Sequence, residues 1–212
     1  RMAGRPAATL LHLGAGLGNG VANLHNARRA ASPVLNVIGD HARHHVPFDA
    51  PLTSDIEGIA RPFSAWVRTA RSSDSLAQDA AEAVAATLTP NPVSTGQVAT
   101  LVVPVDCAWG AARGAAAPAP VAARRAVAPE AVERCARILD AETVLLVDGP
   151  ALGAAGQRAA ARVAERTGCR VLATTFPARI EAGPGLPPLA RLPYFPEAVT
   201  KTLAGVRRIV LA

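Results

Sequence analysis

Thr9-Leu10-Leu11-His12-Leu13, then Gly14-Ala15-Gly16-Leu17-Gly18-Asn19-Gly20, then Val21 to Ala30, then Ser32-Pro33-Val34-Leu35-Asn36-Val37-Ile38-Gly39: this run decides the fold. It reads as a strand, a glycine-rich turn, a helix and a second strand. The first run is short and apolar, bounded by Pro6 and Gly14, as a buried strand is. Glycines at 14, 16, 18 and 20 permit positive φ and close backbone approach. Val21, Leu24 and Ala27 form one helical face, and Arg28 and Arg29 suit the helix C-terminus. Ser32-Pro33 stops the helix, and Val34–Ile38 starts the next strand. Strand, crossover helix and strand make a right-handed unit of a parallel sheet. Ligands of such sheets bind beyond the carboxyl ends of the strands, where the glycines and Gly39-Asp40-His41 both fall.

The glycine spacing is G-x-G-x-G, not the dinucleotide G-x-G-x-x-G, and no acidic residue stands at the ribose position. Two readings stay open: a phosphate grip, or a tight turn with close helix–strand packing.

Downstream, His41, His44 and His45 fall within five residues. They lack the cysteines or regular spacing of a zinc site. The plain reading is a polar loop at a subunit interface. Ser54 and Asp55 cap a helix start, with Ile59, Phe63, Trp66 and Val67 continuing it past a break at Arg61-Pro62. Trp66 reads as core. A helix follows over Leu76–Leu88, ended by Thr89-Pro90-Asn91-Pro92, then a buried strand over Gln97–Pro104. Residues 109–127, rich in Ala, Pro and Gly, read as a low-complexity linker.

Pro129 and Glu130 open a helix with Val132, Cys135 and Leu139 on its apolar side. A strand over Thr143–Val147, a turn over Asp148–Gly153, a helix over Ala154–Arg166 and a strand over Cys169–Thr174 follow. A long loop runs from Phe176 to Phe195; such loops are usually functional. A helix over Pro196–Leu203 and a buried strand over Val206–Leu211 close the chain. The fold class expected is α/β: two open parallel-sheet, three-layer units, 1–108 and 128–212, joined by the 109–127 linker.

Of 212 residues, 50% are hydrophobic, 18% charged and 3% aromatic, which is the composition of a water-soluble globular chain with an Ala-, Val- and Leu-rich core. No apolar run approaches a membrane span, and the opening has no signal-peptide core. The cysteines Cys107, Cys135 and Cys169 form no C-x-x-C and read as buried free thiols of a reducing cytoplasm. A net charge of +6 raises nucleic acid as a partner, but the arginines are dispersed, with no basic run longer than Arg124-Arg125. Nucleic acid and membrane are therefore not expected partners.

The words Ala7–Gly20, Asn23-Leu24-His25-Asn26-Ala27 and Ser32-Pro33-Val34 resemble the pyrimidine-binding domain of thiamine-diphosphate (ThDP) enzymes, the acetolactate synthase and benzoylformate decarboxylase group. Val171–Arg179 is similar to their central domain, and Val105-Asp106 to their strand-end Pro-x-Asp. The resemblance covers most of the chain. It implies a truncated pyrimidine-binding domain followed by a truncated central domain. The start at Arg1–Arg5 then reads as the last turn of a helix, and the end at Ile209–Ala212 as the inside of a strand. It further implies ThDP and magnesium in a parent enzyme, a 2-oxo acid substrate and a second copy of the same chain. Neither the family's activating glutamate nor its Gly-Asp-Gly…Asn magnesium motif is found in this chain. FAD or ADP occupies the central domain in some members, and Gly149 and Gly153 stand at the matching strand end. By the same resemblance His12 is the candidate catalytic residue, Gly14, Gly16, Gly18 and Asn19 lie at the cofactor, and His44 and His45 line the substrate pocket. The wording as a whole favours the carboligase; His12 favours the decarboxylase. A non-catalytic Rossmann-type nucleotide module is the alternative of another class.

Overall fold

A computed structural model describes residues 3, 5–89, 96–121, 123 and 126–212. The expected helix stop at Pro90–Pro92, the Arg124-Arg125 run and most of the opening turn lie outside the described residues. The chain divides into two compact units, Arg1–Arg124 and Arg125–Ala212.

The first unit contains β1 (Ala7–His12), α1 (Leu13–Arg29), β2 (Val34–Asp40), α2 (Ile56–Ala60), β3 (Trp66–Thr69), α3 (Ser73–Leu88), β4 (Val98–Pro104) and α4 (Val105–Trp109). Its four strands are all parallel, in the order β1-β2-β4-β3. Because strand side chains alternate, Val98 and Val102 of β4 go to one face and Ala99 and Leu101 to the other. On the first face Leu17 and Leu24 of α1 and Ile56 and Ala60 of α2 close a core around Ile38. On the second, Ala83 of α3 packs with Leu35 and Trp66. That is a three-layer arrangement.

The register is pinned by a polar row on the α1 face. Thr9, Asn36 and Thr100 are direct neighbours across β1, β2 and β4. The Thr9 hydroxyl donates to Asn36 Oδ1 at 2.8 Å, Asn36 Nδ2 donates to Thr100 Oγ1 at 3.1 Å, and Ser64 Oγ lies 2.7 Å from Thr100 Oγ1. Asn36 and Thr100 are fully buried, so slipping one strand by a residue would strand polar groups in the core.

Two expectations are corrected here. β1 is an edge strand, not a buried one: Leu10 is 78% exposed. Trp66–Thr69 is not a helical continuation of α2 but a short strand, as its aromatic and β-branched residues suit. Arg68 bonds Asp79 at 2.7 Å and Glu82 at 2.6 Å on α3, and its guanidinium lies 4.9 Å from the Trp66 ring centre. Pro104 is followed by the one-turn helix α4. The Asp55 cap does form: its Oδ1 accepts from the Gly58 amide at 2.8 Å.

The second unit contains α5 (Pro129–Ile138), β5 (Thr143–Val147), α6 (Ala154–Thr167), β6 (Arg170–Ala173), β7 (Ala190–Arg191), α7 (Pro196–Thr202) and β8 (Arg208–Leu211), with its parallel strands ordered β7-β6-β5-β8. Leu145, Val147, Leu152, Ala160, Cys169 and Ala173 make the core on the α6 face. α6 ends at Gly168, whose φ of 75° is a left-handed stop. Here too sequence expectations fail at the margins. β8 is an edge strand with Leu211 70% exposed, α5 buries none of its residues, and the Phe176–Phe195 loop contains the two-residue strand β7. Cys107 and Cys169 are buried and Cys135 half-buried, all free thiols.

Candidate functional site

β1 runs straight into α1. His12 is extended, with φ −108°, and Leu13 turns the chain in the left-handed region, with φ 56°. A leucine there costs about 1–2 kcal/mol, offset by burying its side chain, 3% exposed. The glycine-rich stretch is therefore not a turn: Gly14, Gly16, Gly18 and Gly20 all lie inside α1. The turn was expected because glycines punctuate chains, and each costs about 1 kcal/mol in a helix interior. Two of them mark close approach instead. A Cβ on Gly14 would lie 2.2 Å from Ser54 Oγ and 2.3 Å from Ser54 Cβ, and one on Gly20 would lie 2.9 Å from Leu11 Cδ1. Gly14 is buried, while Gly18 and Asn19 are exposed.

The strand ends meet at one edge. His12 is registered with Gly39, and Asp40 with Pro104. His12 is exposed, so it is not a core histidine. A Cβ on Gly39 would meet no atom within 4 Å, so the floor beside His12 is open. Beyond β2, Asp40 Oδ1 accepts from the His41 amide at 2.7 Å. A turn closed by the His45 amide donating to Ala42 O at 2.8 Å folds His45 back on His41, their ring centres 5.4 Å apart. Phe48 lies 6.0 Å beyond His45. His44 is exposed, and His41 Nε2 is buried without a hydrogen-bond partner. Neighbourhood in sequence pairs His44 with His45; the turn pairs His41 with His45.

This loop is fastened by an ion pair that the sequence does not reveal. The Arg43 amide donates to Asp106 Oδ1 at 3.1 Å and its Nε to Asp106 Oδ2 at 2.8 Å, while its Nη1 donates to Arg71 O. One arginine thus joins the ends of β2, β3 and β4. The Arg43 amide, with the guanidinium, holds the Asp106 carboxyl below its usual range; the carboxylate raises Arg43 in turn. Burial pushes the adjacent Cys107 thiol up. Arg43 and Asp106 are 63 residues apart, so no local spacing pairs them.

In the second unit, Gly149 is left-handed with φ 52°, and Gly153 precedes the first turn of α6. The first free amide of that helix, Ala154, donates to Glu181 Oε2 at 2.8 Å. Among the described residues no cluster of three metal-ligating side chains occurs, and no helix is long and apolar enough to cross a membrane.

With that geometry in place, the likenesses to known proteins follow. Residues 1–59 match the family model described as thiamine pyrophosphate enzyme, N-terminal TPP binding domain. A Mycobacterium tuberculosis (strain ATCC 25618 / H37Rv) protein, provisionally named acetolactate synthase large subunit IlvX, is 47% identical over 214 residues. The match spans all of this chain and 40% of that relative. A provisionally assigned thiamin diphosphate-dependent enzyme from Mycobacterium smegmatis superposes with a TM-score of 0.78 at 26% identity, over 98% of this chain and 40% of that one. The 4-hydroxybenzoylformate decarboxylase of Rhodococcus jostii RHA1 shares the fold, with a TM-score of 0.77 at 19% identity, over 99% of this chain and 40% of that one. The resemblance read from Ala7–Gly20, Asn23–Ala27, Ser32–Val34 and Val171–Arg179 therefore stands, as do the two parallel α/β sheets.

Proposed function

We propose that this chain forms the pyrimidine-side wall, and part of the central domain, of a ThDP-dependent enzyme that decarboxylates a 2-oxo acid and ligates the product. The carboligase reading, acetolactate synthase large-subunit-like, rests on one observation: 47% identity sustained along the whole chain. The decarboxylase likeness at 19% identity speaks to fold alone.

ThDP, when bound, supplies the electron sink for loss of carbon dioxide. The residues here leave room for a flat ring at the carboxyl edge, because the floor at Gly39 is open. His12 stands exposed at that floor and holds or moves a proton on the substrate side. Gly16, Gly18 and Asn19 form the helical lip, with Gly14 buried behind it. Arg43 and Asp106 set the height of the His41–His45 wall. Magnesium and the diphosphate grip belong, in this proposal, to segments other than those described. A second copy of the chain and a cytoplasmic setting complete it.

The test is product analysis of a full-length protein carrying this chain, given ThDP, magnesium and either pyruvate or an aryl 2-oxo acid. The proposal expects ThDP-dependent acetolactate from pyruvate. Aldehyde from the aryl acid without acetolactate would shift the assignment to the decarboxylase. No ThDP-dependent carbon dioxide from either acid would contradict both.

A further inference from the structure

We infer that the second unit shuts its own nucleotide-phosphate position with Glu181. In an open parallel sheet, phosphate groups bind at the carboxyl edge, on the free amides that begin the helix after a strand. The β5–α6 junction is that place here, and the family resemblance would put FAD or ADP in this unit in some members. The residues present do not fit such a group.

The Ala154 amide already donates to the Glu181 carboxylate at 2.8 Å, and a Cβ on Gly153 would lie 3.6 Å from the same carboxylate. Glu181 is also held through its main chain. Its amide donates to Leu152 O at 3.1 Å, and its carbonyl accepts from Gln157 Nε2 at 2.7 Å. Gln157 is 3% exposed, and the same Nε2 donates to Leu152 O at 2.7 Å. Lifting this strap would take a partner from a buried amide. Ile180 and Leu189 of the strap pack against the Leu152 and Ala160 core, adding apolar fastening. A diphosphate entering here would bring its charge within bonding distance of a carboxylate, where like charges repel. The long loop is thus a closed strap, and the helix N-terminus carries an internal anion in place of a ligand.

The experiment uses the whole chain, labelled with ¹⁵N, as wild type, Glu181→Gln and Glu181→Ala, with ADP and inorganic phosphate as probes. In the wild type, millimolar ADP leaves the Ala154, Ala155 and Gly156 amide signals unmoved. Glu181→Gln keeps both main-chain bonds and removes only the charge. It should raise hydrogen exchange at Ala154 about 2–5-fold, the usual worth of a carboxylate at a helix start. Glu181→Ala should let phosphate shift the Ala154 signal. Saturable ADP shifts at these amides in the wild type would overturn the inference. So would Ala154 exchange identical in wild type and in folded Glu181→Gln.

Discussion

Gly14 and Gly18 lie one turn apart on the same helix, and alanine should have opposite effects at the two. At Gly18 a Cβ meets nothing within 4 Å, so Gly18→Ala gains only the helical preference of alanine, about 1 kcal/mol. For a unit of this size that is a rise in melting temperature of about 3–5 °C. At Gly14 the same gain is opposed by overlap at 2.2 Å with Ser54 Oγ and 2.3 Å with Ser54 Cβ. Rotating the hydroxyl away leaves the Cβ clash, so α1 or the segment before α2 must move. Overpacking of this kind costs about 1–3 kcal/mol, so the net sign is destabilising or near zero. The control is Ser54→Gly, which removes both clashing atoms and leaves the Ser54 Cα at 3.8 Å, an ordinary contact. In the double variant the Gly14→Ala penalty should disappear. The assay is a thermal and urea melt of four variants: each glycine change alone, Ser54→Gly, and the Gly14→Ala/Ser54→Gly pair. Equal stabilisation by both alanines, or no rescue by Ser54→Gly, would refute the packing argument.

Other outcomes are expected. Asn36→Ala should destabilise the first unit by about 1–3 kcal/mol, because it removes two hydrogen bonds, to Thr9 and to Thr100, from a fully buried position, Thr100 keeping only Ser64; a urea midpoint equal to wild type would contradict this. Asp106 has its pKa lowered in the fold, so its contribution is present above the ordinary carboxylate range and is lost as pH falls through its depressed value. Protection of the amides across residues 41–48, taken relative to the intrinsic exchange rate at each pH, should therefore fall as the protein is taken from about pH 6 to about pH 3, and Asp106→Asn should show the loosened loop already at neutral pH. A loop equally protected in Asp106→Asn would remove the Arg43 clamp from the account.

Long, strongly patterned elements were legible in the sequence. Val34–Ile38, Gln97–Pro104, Thr143–Val147 and Ala154–Arg166 carry their own periodicity and stops, and the structure places them within a residue or two. What was hidden depends on neighbours distant in the chain. Gly14 is a glycine because of Ser54, and nothing in Gly14–Gly20 alone separates close packing from a turn. The left-handed residue at the junction is Leu13, a residue type that gives no local signal for that conformation. The edge positions of β1 and β8 follow from strand order, which periodicity does not encode. For the site, His12 and the histidine loop were visible as residue types at strand ends. The Arg43–Asp106 clamp, the His41–His45 contact and the Glu181 cap needed the fold to bring their partners together.

The proposed function is tested most directly by His12→Ala in a full-length enzyme carrying this chain, with ThDP affinity and steady-state turnover of the 2-oxo acid measured side by side. His12 is exposed, so its loss should leave folding intact, and proton transfer by such a group contributes about 10²–10⁴-fold. The account predicts kcat lowered by a factor in that range, with ThDP affinity nearly unchanged. Wild-type kcat in a stable, ThDP-saturated variant would contradict it.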